Sequence, residues 1–177
     1  KKYILDYRSP WPIEVERELG NNLLSFIAQI FERIILKYSE VITVTSSRLL
    51  RRIKHFRKPV YVIPNYPLRD SFRPTIHRND FRKIHGVDSD TKVILFIGKL
   101  SRTEGVDLFP EIVSKLYKYK PSKKLVLWVV GDGPLRSIVE ALEKKYSSFV
   151  KFFGWQRYDQ IPNFINASDV CLSLIHI

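Results

Sequence analysis

Gly131-Asp132-Gly133-Pro134 is the segment whose residue types and spacing first suggest chemistry. It separates an apolar run from an amphipathic one. Gly133 permits a tight turn and the close approach of a ligand. Pro134 suits a first helical position, and a helix N-terminus favours an anion. A turn that touches no ligand fits the same residues equally well. A second segment runs Arg48, Arg51, Arg52, Lys54, His55, Arg57, Lys58 with no acid in it. Three- and four-residue spacing puts Arg48, Arg51, Arg52 and His55 on one helical side. Such a face is either simply solvated or docks on an anionic membrane, where each basic residue near the surface adds about 1 kcal/mol. No aromatic residue interleaves the run before Phe56, which argues against stacking on single-stranded nucleic acid. His77, His85 and His176 show no metal-ligand spacing, so none is read as a ligand. There is no nucleophile elbow and no phosphate-binding Gly-Lys-Ser/Thr motif.

Composition narrows the classes. The chain has 177 residues, of which 45% are hydrophobic and 13% aromatic, enough for a core and unlike a disordered chain. Thirty Lys and Arg against 18 Asp and Glu leave a net charge of +12. Up to Asp90 there are 17 basic and 10 acidic residues, and after it 13 and 8, so the charge is no tail. It suits an anionic partner: nucleic acid, an anionic membrane or a phosphorylated small molecule. The single cysteine, Cys171, excludes an internal disulfide framework and a Cys-rich zinc site. No stretch reads as a signal peptide, and no apolar run reaches the ~18 residues of a membrane span. The reading is of a soluble, basic, intracellular-type chain.

The elements that must position these residues follow from periodicity. Apolar spacing predicts a strand over 3–5, a single long helix over 13–38, a strand over 41–44, a helix over 48–55 capped by Ser46 or Ser47, and a strand over 60–63. Residues 69–90 are polar and read as a linker holding a short helix at 80–85. Beyond it, apolar strands over 93–97, 125–130, 150–153 and 170–175 alternate with helices ending near 119, over 135–146 and over 160–167. Uniformly apolar strands between amphipathic helices mean parallel βα units covered on both faces. Such sheets bind ligands beyond the carboxyl ends of their strands, here the loops 98–105, 131–134 and 154–158. The chain begins in an apolar strand and stops on another with no closing helix. It is therefore expected to be an internal segment of a larger protein.

These motifs occur in a telling order: Val-Ile-Thr-Val-Thr-Ser-Ser (41–47), Val-Ile-Pro-Asn-Tyr-Pro (62–67), Phe72-Arg73-Pro74, Phe-Ile-Gly-Lys-Leu (96–100), Val-Val-Gly-Asp-Gly-Pro-Leu (129–135), Val-Lys-Phe-Phe-Gly (150–154), then Ile161 and Ser168-Asp169-Val170. Together they resemble glycosyltransferase family four, retaining enzymes of the GT-B fold that use nucleotide sugars. The resemblance implies two Rossmann-like α/β domains of parallel strands: residues 1–68 as the last part of the acceptor-side domain, 69–90 as the interdomain linker, and 91–177 as the first part of the donor domain. It also implies transfer of a sugar from a nucleoside-diphosphate sugar to a glycan or lipid-linked acceptor. The family's paired glutamates would lie beyond Ile177, so this segment alone is expected to be inactive.

What the resemblance implies for particular residues is specific. Gly98, Lys99 and Arg102 would hold the donor diphosphate, whose negative charge grows as the glycosidic bond breaks. Lys99 stands where the family usually has arginine, and Glu104 where it usually has lysine. Gly131, Gly133, Gly154 and Trp155 would lie along the nucleotide, where Trp155 either stacks on the base or packs against the protein, packing being the expected outcome. Arg8, in Asp6-Tyr7-Arg8-Ser9-Pro10-Trp11-Pro12, would face the donor sugar or phosphate as the catalytic-side cation, or else serve as an ion-pair partner. No cofactor and no metal are implied; the nucleotide sugar is a co-substrate. The implied location is cytoplasmic, at the membrane face if the basic run docks there. A non-catalytic nucleotide-binding module of the same fold is the rival reading, and a basic nucleic-acid-binding protein a more distant one.

Overall fold

The computed structural model describes residues 3–67, 70, 72–119 and 124–173. The chain divides into two compact units, residues 1–67 and 68–177.

The first unit is a parallel sheet of β1 (Ile4–Tyr7), β2 (Val41–Val44) and β3 (Val60–Val62) in that order. Ile4 pairs with Val41, and Ile42 with Val60. Tyr7, Leu36, Ile42, Val44 and Ile53 form its buried centre. The single helix expected over 13–38 is two: α1 (Trp11–Leu19) and α2 (Asn22–Tyr38). Gly20 ends α1 in the left-handed region at φ 60°, its N–H donating to the Glu16 carbonyl. Asn21 then caps α2, its side chain accepting from the Leu23 and Leu24 amides at 3.0 and 3.1 Å. Gly-Asn is an ordinary stop-and-start signal, hidden here by apolar periodicity that continues across it.

Helix α2 is also turned about its axis. Its buried positions are Ser25, Glu32 and Leu36, whereas Leu23, Phe26, Ile27, Ile30, Phe31 and Ile34 are exposed in this chain. Polar bonds explain the inward face. The Ser25 hydroxyl donates to the Pro12 carbonyl, and the Tyr7 hydroxyl donates to Glu32 at 2.7 Å. Helix α3 (Ser47–Ile53) is capped by Ser46, as expected, and gives way to a 3-10 turn over Lys54–Phe56.

The second unit holds α4 (Arg78–Ile84), β4 (Lys92–Ile97), α5 (Phe109–Lys118), β5 (Leu125–Val130), α6 (Arg136–Lys145), β6 (Val150–Phe152), α7 (Ile161–Ala167) and β7 (Val170–Leu172). Its strands are all parallel in the order β6-β5-β4-β7. Both faces are covered, as uniformly apolar strands require. Phe96, Leu127 and Val129 meet Phe109, Val113, Val139 and Leu142 on one face. Val93, Leu95 and Trp128 meet Phe81, Phe164 and Ala167 on the other. The chain leaves β4 toward β5 and β6, then returns to the far side of β4 as β7. That reversal opens a crevice at the carboxyl ends of β4 and β7.

The stretch read as a linker belongs largely to this second fold. The Arg82 guanidinium is buried and donates to the Ala167 and Thr91 carbonyls at 2.8 and 3.1 Å and to Asp169 at 2.7 Å. Arg78 donates to the Asn166 and Ser168 carbonyls and to the other Asp169 oxygen. Asn163 accepts the backbone N–H groups of Thr75 and Ile76. Polar composition suggested solvent; here the polar groups satisfy the ends of α7 and β4 instead. His85 sits among the rings of Phe81, Trp128, Phe153 and Phe164, at 4.5–5.7 Å. Burial, and then the nearby Lys151 charge, push its pKa down and favour neutral imidazole.

Candidate functional site

Three loops leave the carboxyl ends of β4, β5 and β6, and backbone hydrogen bonds tie them together. The Leu100 N–H donates to the Asp132 carbonyl at 2.9 Å, the Leu135 N–H to the Leu100 carbonyl at 2.8 Å, and the Gly131 N–H to the Gly154 carbonyl at 2.8 Å. This contact explains the two glycines after β5. A Cβ on Gly131, which has φ +139°, would lie 1.8 Å from the Gly98 oxygen. One on Gly133 would lie 2.5 Å from the Leu100 oxygen. The close approach that Gly133 permits is thus made to Leu100 rather than reserved for a ligand.

Pro134 does not open the helix, because α6 starts at Arg136. Asp132 occupies the turn before it. One of its carboxylate oxygens accepts the Gly133 N–H at 2.8 Å and the other pairs with Arg136 at 3.0 Å. The chain therefore supplies its own anion at this helix start. Arg136 also bonds Glu140 and lies over the Phe152 ring.

The loop after β4 is anchored and charged at once. Leu100, Ser101, Gly105 and Val106 are buried. The Gly105 N–H donates to the Arg102 carbonyl and the Val106 N–H to that of Ser101, closing a turn with Gly105 at φ 74°. Lys99 and Arg102 point outward from these anchors, both exposed and neither within 4.0 Å of a carboxylate among the described residues. Glu104 is half-buried, and its Oε2 lies 3.8 Å from where a Gly98 Cβ would stand. Two unpaired cations on a rigid loop at the crevice can bind a diphosphate. The Ser101 hydroxyl is buried and has no hydrogen-bond partner among the described residues. Ser101→Ala should therefore hold stability or raise it by about 1 kcal/mol, read from the urea midpoint. A fall of that size would reveal a partner.

Beyond β6, Gly154 turns at φ +63° with open space around it. The expected packing of Trp155 is not found: the side chain is 69% exposed. With nothing covering it, the indole offers a flat apolar face at the sheet's carboxyl end. In the first unit, Arg8 follows the carboxyl end of β1 and pairs with Asp6 at 2.6 Å, while Asp6 also accepts from the Thr43 hydroxyl. The Arg8 hydrogen bond, then that of Thr43, hold the Asp6 carboxyl below its usual range.

The basic run does not form one free face. Arg52, although exposed, is paired with Glu32 at 3.4 Å, beside Tyr7. Burial, then Glu32, push the Tyr7 hydroxyl pKa up, so it stays a donor. His55 belongs to the 3-10 turn, out of phase with α3, its ring 4.3 Å from Phe56. Arg48 and Arg51 remain exposed on α3, Arg48 with a partner of its own. No group of three His, Cys, Asp or Glu could hold a metal among the described residues. His77 caps α4 through its ring nitrogen, and His176 lies outside the described residues. No helix among them is long and apolar enough to cross a membrane.

Residues 91–175 match the family described as Glycosyl transferases group 1. This stretch is therefore similar in sequence to the group 1 glycosyltransferases. The chain is also 29% identical over 112 residues to "Putative glycosyltransferase YtcC" of Bacillus subtilis (strain 168), covering 60% of this chain and 27% of that protein. Sucrose-phosphate synthase from Thermosynechococcus elongatus superposes with a TM-score of 0.69 at 19% identity, over 96% of this chain and 43% of its own. Anabaena Alr3699/HepE in complex with UDP-glucose gives 0.68 at 15% identity, over 97% and 46%. The fold is that of the GT-B glycosyltransferases. The chain spans about a quarter of the curated relative it matches and under half of each of these two structures.

Within the second unit, Gly98, Lys99, Arg102, Gly131, Gly133, Gly154 and Trp155 all lie at the carboxyl ends of β4, β5 and β6. Arg8 lies in the other unit. Sequence reasoning did not single out Asp132 with Arg136, nor the Arg78–Arg82–Asp169 cluster. The first pair carried a signal, an acid and an arginine four apart across a helix start. The second is dispersed over 92 residues of sequence, and no local pattern announces it.

Proposed function

We propose that the full-length protein transfers a sugar from a nucleoside-diphosphate sugar to a glycan or lipid-linked acceptor, with retention at the anomeric carbon. The observation that carries this reading is the pair of exposed, unpaired cations, Lys99 and Arg102, on a buried-anchored loop of the second unit. They bind the diphosphate and stabilise its charge as it departs, without a metal. The exposed Trp155 indole takes the base by stacking, Gly154 leaves room for the nucleotide beside it, and Gly131 and Gly133 hold the loops together beneath. Arg8 serves the donor sugar or phosphate as a further cation once freed from Asp6. The lipid-linked acceptor fits a cytoplasmic protein held at the membrane face, with Arg48 and Arg51 as the basic contacts.

The test is sugar transfer by the full-length protein from a panel of UDP-, GDP- and ADP-glucose. Lys99→Ala with Arg102→Ala should lower kcat/KM by at least about 100-fold, since each charge-assisted bond contributes ~1.5–3 kcal/mol. Unchanged kcat/KM would remove the phosphate role. The second reading, a non-catalytic nucleotide-binding module, is favoured by one observation: Glu104 puts a carboxylate on the same loop. Nucleotide binding without any turnover would establish it.

A further inference from the structure

We propose that Glu104 discriminates between the intact nucleoside-diphosphate sugar and the nucleoside diphosphate left after transfer, and so speeds release of the latter. This rests on the assignment of the 98–105 loop to the donor diphosphate. The turn that carries Glu104 is fixed by the Gly105-to-Arg102 and Val106-to-Ser101 backbone bonds and by the buried Leu100 and Val106 side chains. It holds the carboxylate half-buried beside Gly98. No cation stands within 4.0 Å of that carboxylate among the described residues, and the loop's own Lys99 and Arg102 are not paired to it. An anion at this loop therefore meets two positive charges and one negative charge that nothing cancels.

The two nucleotides differ in charge at the atom that matters. In the donor, both phosphates are esterified on two sides, and each carries one negative charge. On transfer the bond from the anomeric carbon to the phosphate oxygen breaks, and its electron pair stays on that oxygen. A bond forms from the anomeric carbon to the acceptor's hydroxyl oxygen, whose proton is released. The distal phosphate is now terminal, and with a second pKa of about 6 it gains nearly one more negative charge at neutral pH. Lys99 and Arg102 attract both nucleotides. Glu104 repels the product more than the donor, because repulsion scales with the added charge. For a charge about 8 Å away at a partly solvated site, the difference is about fivefold in dissociation constant.

The experiment measures binding by calorimetry on the full-length protein, using UDP, GDP and ADP and their glucose conjugates as probes. In Glu104→Gln the nucleoside diphosphate should tighten about fivefold more than its glucose conjugate, and in Glu104→Lys the gap should widen. Product inhibition should deepen in step. Equal changes for the two nucleotides, or none, overturn the inference. So does selective weakening of the glucose conjugate, which would make Glu104 an acceptor for a sugar hydroxyl. A matching urea midpoint shows that the variants are folded. Failure of the donor-site reading is separate: either no probe binds the wild type, or Lys99→Ala with Arg102→Ala binds as the wild type does.

Discussion

Asp169→Ala is expected to destabilise the second unit by about 3–5 kcal/mol, because it strands a buried cation. Arg82 is 3% exposed, and its guanidinium depends on Asp169 for its countercharge. The same carboxylate accepts the Val93 N–H at 2.8 Å and pairs with Arg78 at 2.8 Å. It thereby sets the start of β4 against the start of β7, the two strands that flank the crevice. With an m value of about 2 kcal/mol/M, the urea midpoint should fall by about 2 M. Arg82→Met in the same background should recover part of the loss, because no unpaired charge then remains buried. A fall below about 1 kcal/mol would mean that the backbone carbonyls alone satisfy Arg82.

The pH dependence has a defined sign. Burial alone would raise the Asp169 pKa; the Val93 amide, then Arg82, outweigh it and hold the carboxyl below its usual range. A depressed folded-state value adds stability above the unfolded pKa, and that stability is lost as pH falls through the folded one. The gap between wild type and Asp169→Ala should accordingly hold above about pH 5 and narrow as pH falls through the ordinary carboxyl range and on through the depressed folded value.

Gly131→Ala is expected to cost at least about 3 kcal/mol and to weaken nucleotide binding with it. A backbone in so sparsely populated a region costs about 1–3 kcal/mol for a residue with a side chain. The new methyl would also collide with the Gly98 carbonyl at 1.8 Å, backbone against backbone, which no rotamer relieves. Separating the loops breaks the Leu100–Asp132 and Leu135–Leu100 bonds, at about 1 kcal/mol each. It also moves Lys99 and Arg102. Gly154→Ala is the control: φ is +63° but no atom lies within 4 Å, so only the left-handed penalty of about 1–2 kcal/mol applies. Equal costs for the two substitutions would show that the loops are not in contact at Gly131.

What the sequence determined by itself is what local pattern encodes. The strands at 41–44 and 125–130 match their observed bounds, and α6 and α7 fall within a residue or so of expectation, because buried parallel strands must be apolar on both faces and their helices on one. The same alternation placed Lys99, Arg102 and Gly131 at strand ends. Tertiary structure decided everything that depends on partners distant in the chain. Arg82 reads as linker polarity until Asp169 arrives 87 residues later. Arg52 reads as a free charge on a basic face until Glu32, 20 residues earlier, pairs with it. Gly133 reads as room for a ligand until Leu100 fills that room. In helix α2 Ser25 and Glu32 face inward, where Pro12 and Tyr7, distant in the chain, supply their partners. Periodicity records how a segment repeats, but a buried charge or a missing Cβ has meaning only beside the group that folding brings to it.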